Sequence, residues 1–145
     1  MDIYTIGFTK RTAENFFETL RKSGAGHLLD IRLNNTSQLA AFTKKQDLPY
    51  LLNRLTGMAY HEVPVLAPND SILKEYRRSK NWKTYEDAYN QLIGERKAET
   101  TVPLAWLKEG VVLLCSEFEP SKCHRRLAAE YLAQKAKEII SVTHL

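Results

Sequence analysis

The sequence predicts one α/β domain built on a mostly parallel, five-stranded sheet with helices on both faces. Short β-branched and apolar runs alternate along the chain with amphipathic stretches, the pattern of strands joined by crossover helices. The 145 residues suffice for one core, and 43% hydrophobic with 26% charged residues is ordinary globular composition. No internal repeat or low-complexity segment interrupts the alternation, so residues 1–145 are read as a single domain. The pattern leaves the strand order open.

Taken in order, Ile3 to Phe8 is an apolar run broken by Gly7, which suits a strand feeding a turn. Ala13, Phe16, Phe17 and Leu20 recur at i, i+3, i+4 and i+7 and mark an amphipathic helix that stops at Ser23-Gly24. His27 to Leu33 is a second buried strand, and Asn34 to Gln38 is too rich in turn formers to be regular. A helix follows with Leu48, Leu51, Leu52 and Leu55 on one face, ended by Gly57. Met58 to Leu66 reads as a third strand, limited by Pro64 and Pro68. Ser71 to Ser79 and Trp82 to Lys97 are two helices, the second presenting Trp82, Tyr85, Tyr89, Leu92 and Ile93 on one side. A short helical connector over Pro103 to Lys108 leads to the clearest buried strand, Val111 to Cys115. Pro120 closes the next loop, Ser121 is placed to cap a helix running to about Lys135, and Glu138 to Val142 is a last strand.

Lys plus Arg number 21 against 17 Asp plus Glu, a formal charge of +4. That balance permits a polyanionic partner without demanding one. No apolar run approaches the roughly 20 residues that cross a bilayer, so no membrane association is expected. The opening residues lack a basic stretch followed by an apolar core, so no secretory leader is expected. Two cysteines are too few for a disulfide scaffold, which points to a reducing, cytoplasmic setting. A Walker loop, Gly-x-Gly-x-x-Gly and His-Glu-x-x-His are all missing from the sequence. This weighs against an ordinary ATPase, dinucleotide enzyme or metalloprotease, and no cofactor is expected.

Reactive groups are densest from Cys115 to Arg126, across a strand end, a loop and a helix start. Leu127, Tyr131 and Leu132 mark the buried stripe of that helix, and one turn back from Leu127 stands Cys123, with His124 beside it. At a helix N-terminus, free N–H groups and partial positive charge favour an anion and lower a thiol pKa.

The arrangement Cys-x-Glu-x-x-Pro-x-x-Cys-His-Arg after an apolar strand resembles the C-terminal signature of the domain-of-unknown-function 488 (DUF488) family. The resemblance extends to Tyr4-Thr5-Ile6-Gly7, Leu29-Asp30-Ile31-Arg32, Phe42-Thr43-Lys44 and the Tyr60 to Leu66 segment, and so spans nearly the whole chain. Many relatives carry Gly-His-Ser after the first strand where this chain has Gly7-Phe8-Thr9, so no histidine role carries over there. The family has no established activity; the resemblance implies an architecture and a site rather than a reaction.

Each candidate has a structural reading beside the functional one. Asp30 and Arg32 share one side of a strand, as a buried ion pair or, for Arg32, as a guanidinium gripping phosphate or carboxylate. Cys115 is a small buried hydrophobe or a thiol facing the Cys123 loop; the eight-residue spacing would allow a bridge, whose geometry sequence does not show. Glu117 is an acid, base or hydroxyl binder, or a loop carboxylate. Arg125 lies nearer the site than Arg126, which should pair with Glu130 one turn on. Gly7 admits close backbone approach or simply a turn. No metal is expected. The spacing matches no familiar zinc pattern, and adjacent Cys123 and His124 should diverge on a helix.

The leading expectation is a small-anion site, of phosphate or nucleotide type, at the carboxyl ends of the strands. Cys115, Glu117, Cys123 and His124 would be its catalytic groups in a cysteine-dependent enzyme, with Gly7, Arg32 and Arg125 binding the ligand. One alternative is a non-catalytic module using the same pocket. Another is a nucleic-acid-associated protein using the basic stretch Lys74 to Lys83, where Tyr76 and Trp82 are interleaved. The bland account of that stretch is a solvated helix face with its aromatics in the core.

Overall fold

Five consecutive buried residues, Val111 to Cys115, need apolar cover on both sides, and they obtain it at the centre of the sheet. The computed structural model describes residues 1–117, 119–138 and 140–145. Its elements run β1 (Asp2–Gly7), α1 (Ala13–Ser23), β2 (His27–Asp30), α2 (Leu48–Thr56), β3 (Ala59–Glu62), α3 (Asp70–Ser79), α4 (Trp82–Glu95), α5 (Leu104–Glu109), β4 (Val111–Cys115), α6 (His124–Lys135) and β5 (Ser141–His144). All strand pairings are parallel, in the order β3-β2-β4-β1-β5.

Side chains alternate across this sheet. Val111 and Leu113 join one core layer with Leu29, Tyr89, Ile93 and Leu127, while Val112 and Leu114 join the other with Phe16, Leu20, Leu28 and Leu52. Helices α1 and α2 therefore cover one face and α4 and α6 the other. The Thr12 hydroxyl accepts from the Asn15 N–H at 3.0 Å and caps α1. Gly24 (φ 73°) and Gly57 (φ 77°) end α1 and α2 in the left-handed region that other residues avoid.

Four of the boundaries that differ from the sequence reading have a clear local reason. Strand β2 stops at Asp30 because the Asp30 carboxylate accepts the Arg32 N–H at 3.2 Å, taking a donor the ladder would need. Strand β3 ends at Glu62, and Pro64 starts a 3₁₀ turn over Pro64–Leu66. Helix α6 begins at His124 with Cys123 as its N-cap, whereas Ser121 lies in the turn before it. The last strand falls later, at Ser141–His144, with the Ser141 N–H donating to the Met1 carbonyl at 3.1 Å. Ile139, within the stretch where that strand was expected, lies outside the described residues, as does Phe118.

Adjacent strands β2 and β4 send their following helices, α2 and α6, to opposite faces of the sheet. Beyond their carboxyl ends the chain parts and a crevice opens, the usual ligand position in open parallel sheets. Among the described residues no helix is long and apolar enough to cross a membrane.

Candidate functional site

The crevice holds about 320 Å³. Its floor comes from the end of β4 and the start of α6, through Cys115, Ser116, Lys122, Cys123 and His124. Arg32, Leu33 and Asn34 after β2 form one side. The opposite wall is aromatic, with Tyr76 of α3 and Trp82 and Tyr85 of α4, and Arg77 at its rim.

Cys115 and Cys123 are buried and their sulfurs meet as a disulfide, with Cα atoms 7.7 Å apart. The usual Cα span of disulfides is about 4.4–6.8 Å. The sequence argument that Cys123 and His124 must diverge does not hold, because Cys123 is not helical. As N-cap it has extended backbone (φ −139°, ψ 141°), and its Sγ lies 4.0 Å from His124 Nδ1. The ligand atoms of Cys115, Cys123 and His124 all lie within 4.8 Å of one another.

His124 reaches across to the residue that follows β2, its Nε2 2.7 Å from the Ile31 carbonyl. A carbonyl only accepts, so Nε2 carries the proton and Nδ1 keeps a lone pair directed towards the sulfurs. Burial pushes the imidazole down to about 4, against the opposing pull of the Ile31 carbonyl, so the ring is neutral near pH 7.

Arg32 lines the crevice but spends its donors elsewhere. Its Nε and Nη2 grip the two Asp30 oxygens at 2.8 Å each, and Nη1 and Nη2 donate to the Thr43 hydroxyl and carbonyl at 3.0 and 2.7 Å. Tyr60 and Asn35 complete the carboxylate's partners. Burial alone would raise the Asp30 pKa; the Arg32 hydrogen bonds and charge, with the Tyr60 hydroxyl, outweigh it and hold it low.

Gly7 and Arg125 sit behind the crevice rather than in it. A Cβ on Gly7 would overlap the Glu117 carbonyl and the Arg125 guanidinium. Arg125 is fully buried and donates to that same carbonyl, pinning the loop between β4 and α6. Burial first, and Arg11 second, bring its pKa down to about 10, which leaves it charged. The Glu117 side chain is exposed at the crevice mouth. Arg126 pairs with Glu130 at 2.9 Å, as its spacing indicated.

A family model described as "Domain of unknown function DUF488" matches residues 12–132. The chain belongs to the DUF488 family. No curated protein and no solved structure matches it significantly. In this DUF488 chain the shared-looking stretches sort by geometry. Leu29 to Arg32, Phe42 to Lys44 and Tyr60 meet at the Asp30–Arg32 pair. Gly7, Glu117 and Arg125 meet at one carbonyl. Cys115, Cys123 and His124 meet facing the crevice.

Sequence reasoning offered Tyr76 and Trp82 for stacking on nucleic acid but did not place them, with Tyr85, at this DUF488 site. Trp82 stacks on Tyr85 with centroids 4.8 Å apart and planes 18° apart, and Tyr76 stands edge-on to Trp82 at 5.7 Å. All three pack against the core, as the bland reading held, and they line the crevice as well. The usable signal was that Tyr76 and Trp82 flank the short link between two helices, where side chains from both converge. Lys122 carried no signal beyond its place in the Cys115 to Arg126 cluster.

Proposed function

We propose that the crevice binds a small anionic ligand with a planar ring, of nucleotide type. The observation that carries this reading is the pairing of an aromatic wall (Tyr76, Trp82, Tyr85) with Lys122 and Arg77 across about 320 Å³. A base stacks on such a wall, at about 1–3 kcal/mol per base. The cations and the first N–H groups of α6 suit a phosphate. Arg32 is occupied by Asp30 and Thr43, so the ligand's charge falls to Lys122 and Arg77. Arg125 and Gly7 act as positioning residues for the loop. The catalytic form of the reading has reduced Cys123 as nucleophile, with His124 Nδ1 as its proton acceptor and Glu117 at the mouth as acid.

The nucleic-acid alternative draws less support. Within the basic stretch Arg78 is tied to Glu75 at 2.6 Å and Lys83 to Asp87 at 3.0 Å, which leaves less charge for a phosphate backbone.

The test is a titration of the reduced protein with nucleoside monophosphates, followed by tryptophan fluorescence and calorimetry. Saturable binding is expected, weakened at least about tenfold in Lys122→Ala and in Trp82→Leu, with inorganic phosphate and free nucleosides each binding less well. Absence of saturation at millimolar nucleotide ends the reading. Turnover of a phosphate ester, lost in Cys123→Ser, marks the enzyme; binding without turnover marks the module.

A further inference from the structure

We propose that the reduced protein holds a zinc-type divalent ion through Cys115 Sγ, Cys123 Sγ and His124 Nδ1, with the fourth coordination position open to the crevice. The three ligand atoms already lie within 4.8 Å of one another. Two metal–sulfur bonds of about 2.3 Å at a tetrahedral angle set sulfurs about 3.8 Å apart, and sulfur and nitrogen about 3.5 Å apart. The Cys123 Sγ to His124 Nδ1 distance of 4.0 Å is close to that. The Cα separation of 7.7 Å is wider than disulfides usually span and leaves room for an ion between the sulfurs.

The histidine is prepared for the role. Donation from its Nε2 to the Ile31 carbonyl at 2.7 Å fixes the ring and frees Nδ1, the arrangement in which a second partner orients a metal-ligating imidazole. Arg125 braces the loop that carries one end of the ligand set, through the Glu117 carbonyl. Both cysteines are buried, and two thiolates neutralise a divalent charge there, each thiol releasing one proton to solvent as its metal–sulfur bond forms. The donor set of two sulfurs and one nitrogen selects zinc, or cobalt in its place, over magnesium or calcium. Among the described residues no fourth protein group joins the cluster, and all three ligands face the crevice. Three protein ligands with one open position is the form that zinc takes in catalysis rather than in structural sites.

This goes beyond the nucleotide reading and stands without it; it reassigns Cys123 from nucleophile to ligand. The experiment uses the whole chain, reduced and freed of metal by a chelator, titrated anaerobically with cobalt(II) and no nucleotide. Expected are a thiolate-to-cobalt charge-transfer band and tetrahedral d–d absorption that saturate at one equivalent and are displaced by zinc. Cys123→Ser and His124→Gln should each lose at least about 100-fold in affinity, with circular dichroism confirming their fold. A second arm needs no mutation. Diamide takes two electrons from the thiolate pair and two protons from solvent, leaving a disulfide, the hydrazine product and free cobalt, and should abolish the cobalt spectrum until reductant restores it. No thiolate-to-cobalt band in the reduced wild type, or binding unaffected by diamide, overturns the proposal whatever the nucleotide titration shows.

Discussion

Asp30 accepts from Arg32, Tyr60 and Asn35, and a carboxylate enclosed in this way is costly to leave alone. Arg32→Met should therefore lower unfolding stability by about 3–5 kcal/mol in urea titrations, and adding Asp30→Asn should recover part of the loss. A ligand-gripping Arg32 would give the opposite pattern, with stability retained and nucleotide affinity gone. The pairing was expected from strand alternation, but β2 ends at Asp30, and the pair forms in the turn after it, where the Arg32 N–H also donates to the Asp30 carboxylate. Thr43 and Tyr60 as further partners were not expected, because nothing in local spacing brings a loop and a neighbouring strand to one carboxylate. His124 gives a pH signature in the metal-free protein. Its pKa of about 4 in the fold lies below the unfolded value of about 6.5, so the unfolded chain binds the extra proton first. Stability should thus fall by roughly 2–3 kcal/mol as pH drops from 6.5 to 4, and be unaffected by this group above 6.5. Chemical denaturation across that range checks it; an equally steep profile in His124→Gln would place the slope elsewhere.

The elements repeat this division between local and distant causes. Helix α1 was legible from its i, i+3, i+4, i+7 stripe and its stop at Gly24, because period and stop are written within a few residues, while its Thr12 cap was not read. Thr12→Ala should cost about 1 kcal/mol through the lost cap, read as a lower urea midpoint with unchanged slope. The start of α6 was not legible. Ser121 is the better capping residue by propensity, yet the turn from Pro120, closed by the Cys123 N–H at 3.2 Å, delays the helix until His124. That delay of two residues takes Cys123 off the helix and sets it beside His124, which is why the argument from helical divergence did not foresee the cluster. Helix α4 is anchored by a longer reach, the Tyr89 hydroxyl donating to the Leu66 carbonyl at 2.6 Å in the core. Tyr89→Phe leaves that carbonyl unpaired and should lower stability by about 1–3 kcal/mol.

At the scale of the whole molecule, the class of fold follows from the alternation of strands and helices, while the order β3-β2-β4-β1-β5 follows from no local pattern. Apolar runs such as Ile3 to Ile6 and Val111 to Cys115 declare that a strand is buried on both faces without naming its neighbours. The order makes β4 the common partner of β1 and β2 and gives both core layers their central residues. A chain ended after Glu109 should accordingly show no cooperative thermal transition, whereas one lacking only residues 141–145 should keep a transition at lower temperature; differential scanning calorimetry separates the two. The central position of β4 also sets a schedule. On the ribosome, β1 and β2 emerge with no strand between them, and their filler follows β2 about eighty residues later, a wait of roughly 4–16 seconds at usual elongation rates. Over that interval the edges of β1 and β2 that β4 will fill have no partner, the kind of surface that invites pairing with another chain. The crevice rests on β4 and α6, which follow β1, β2 and β3 in the chain, so a chain stalled or released before β4 exposes its edges before it owns a site.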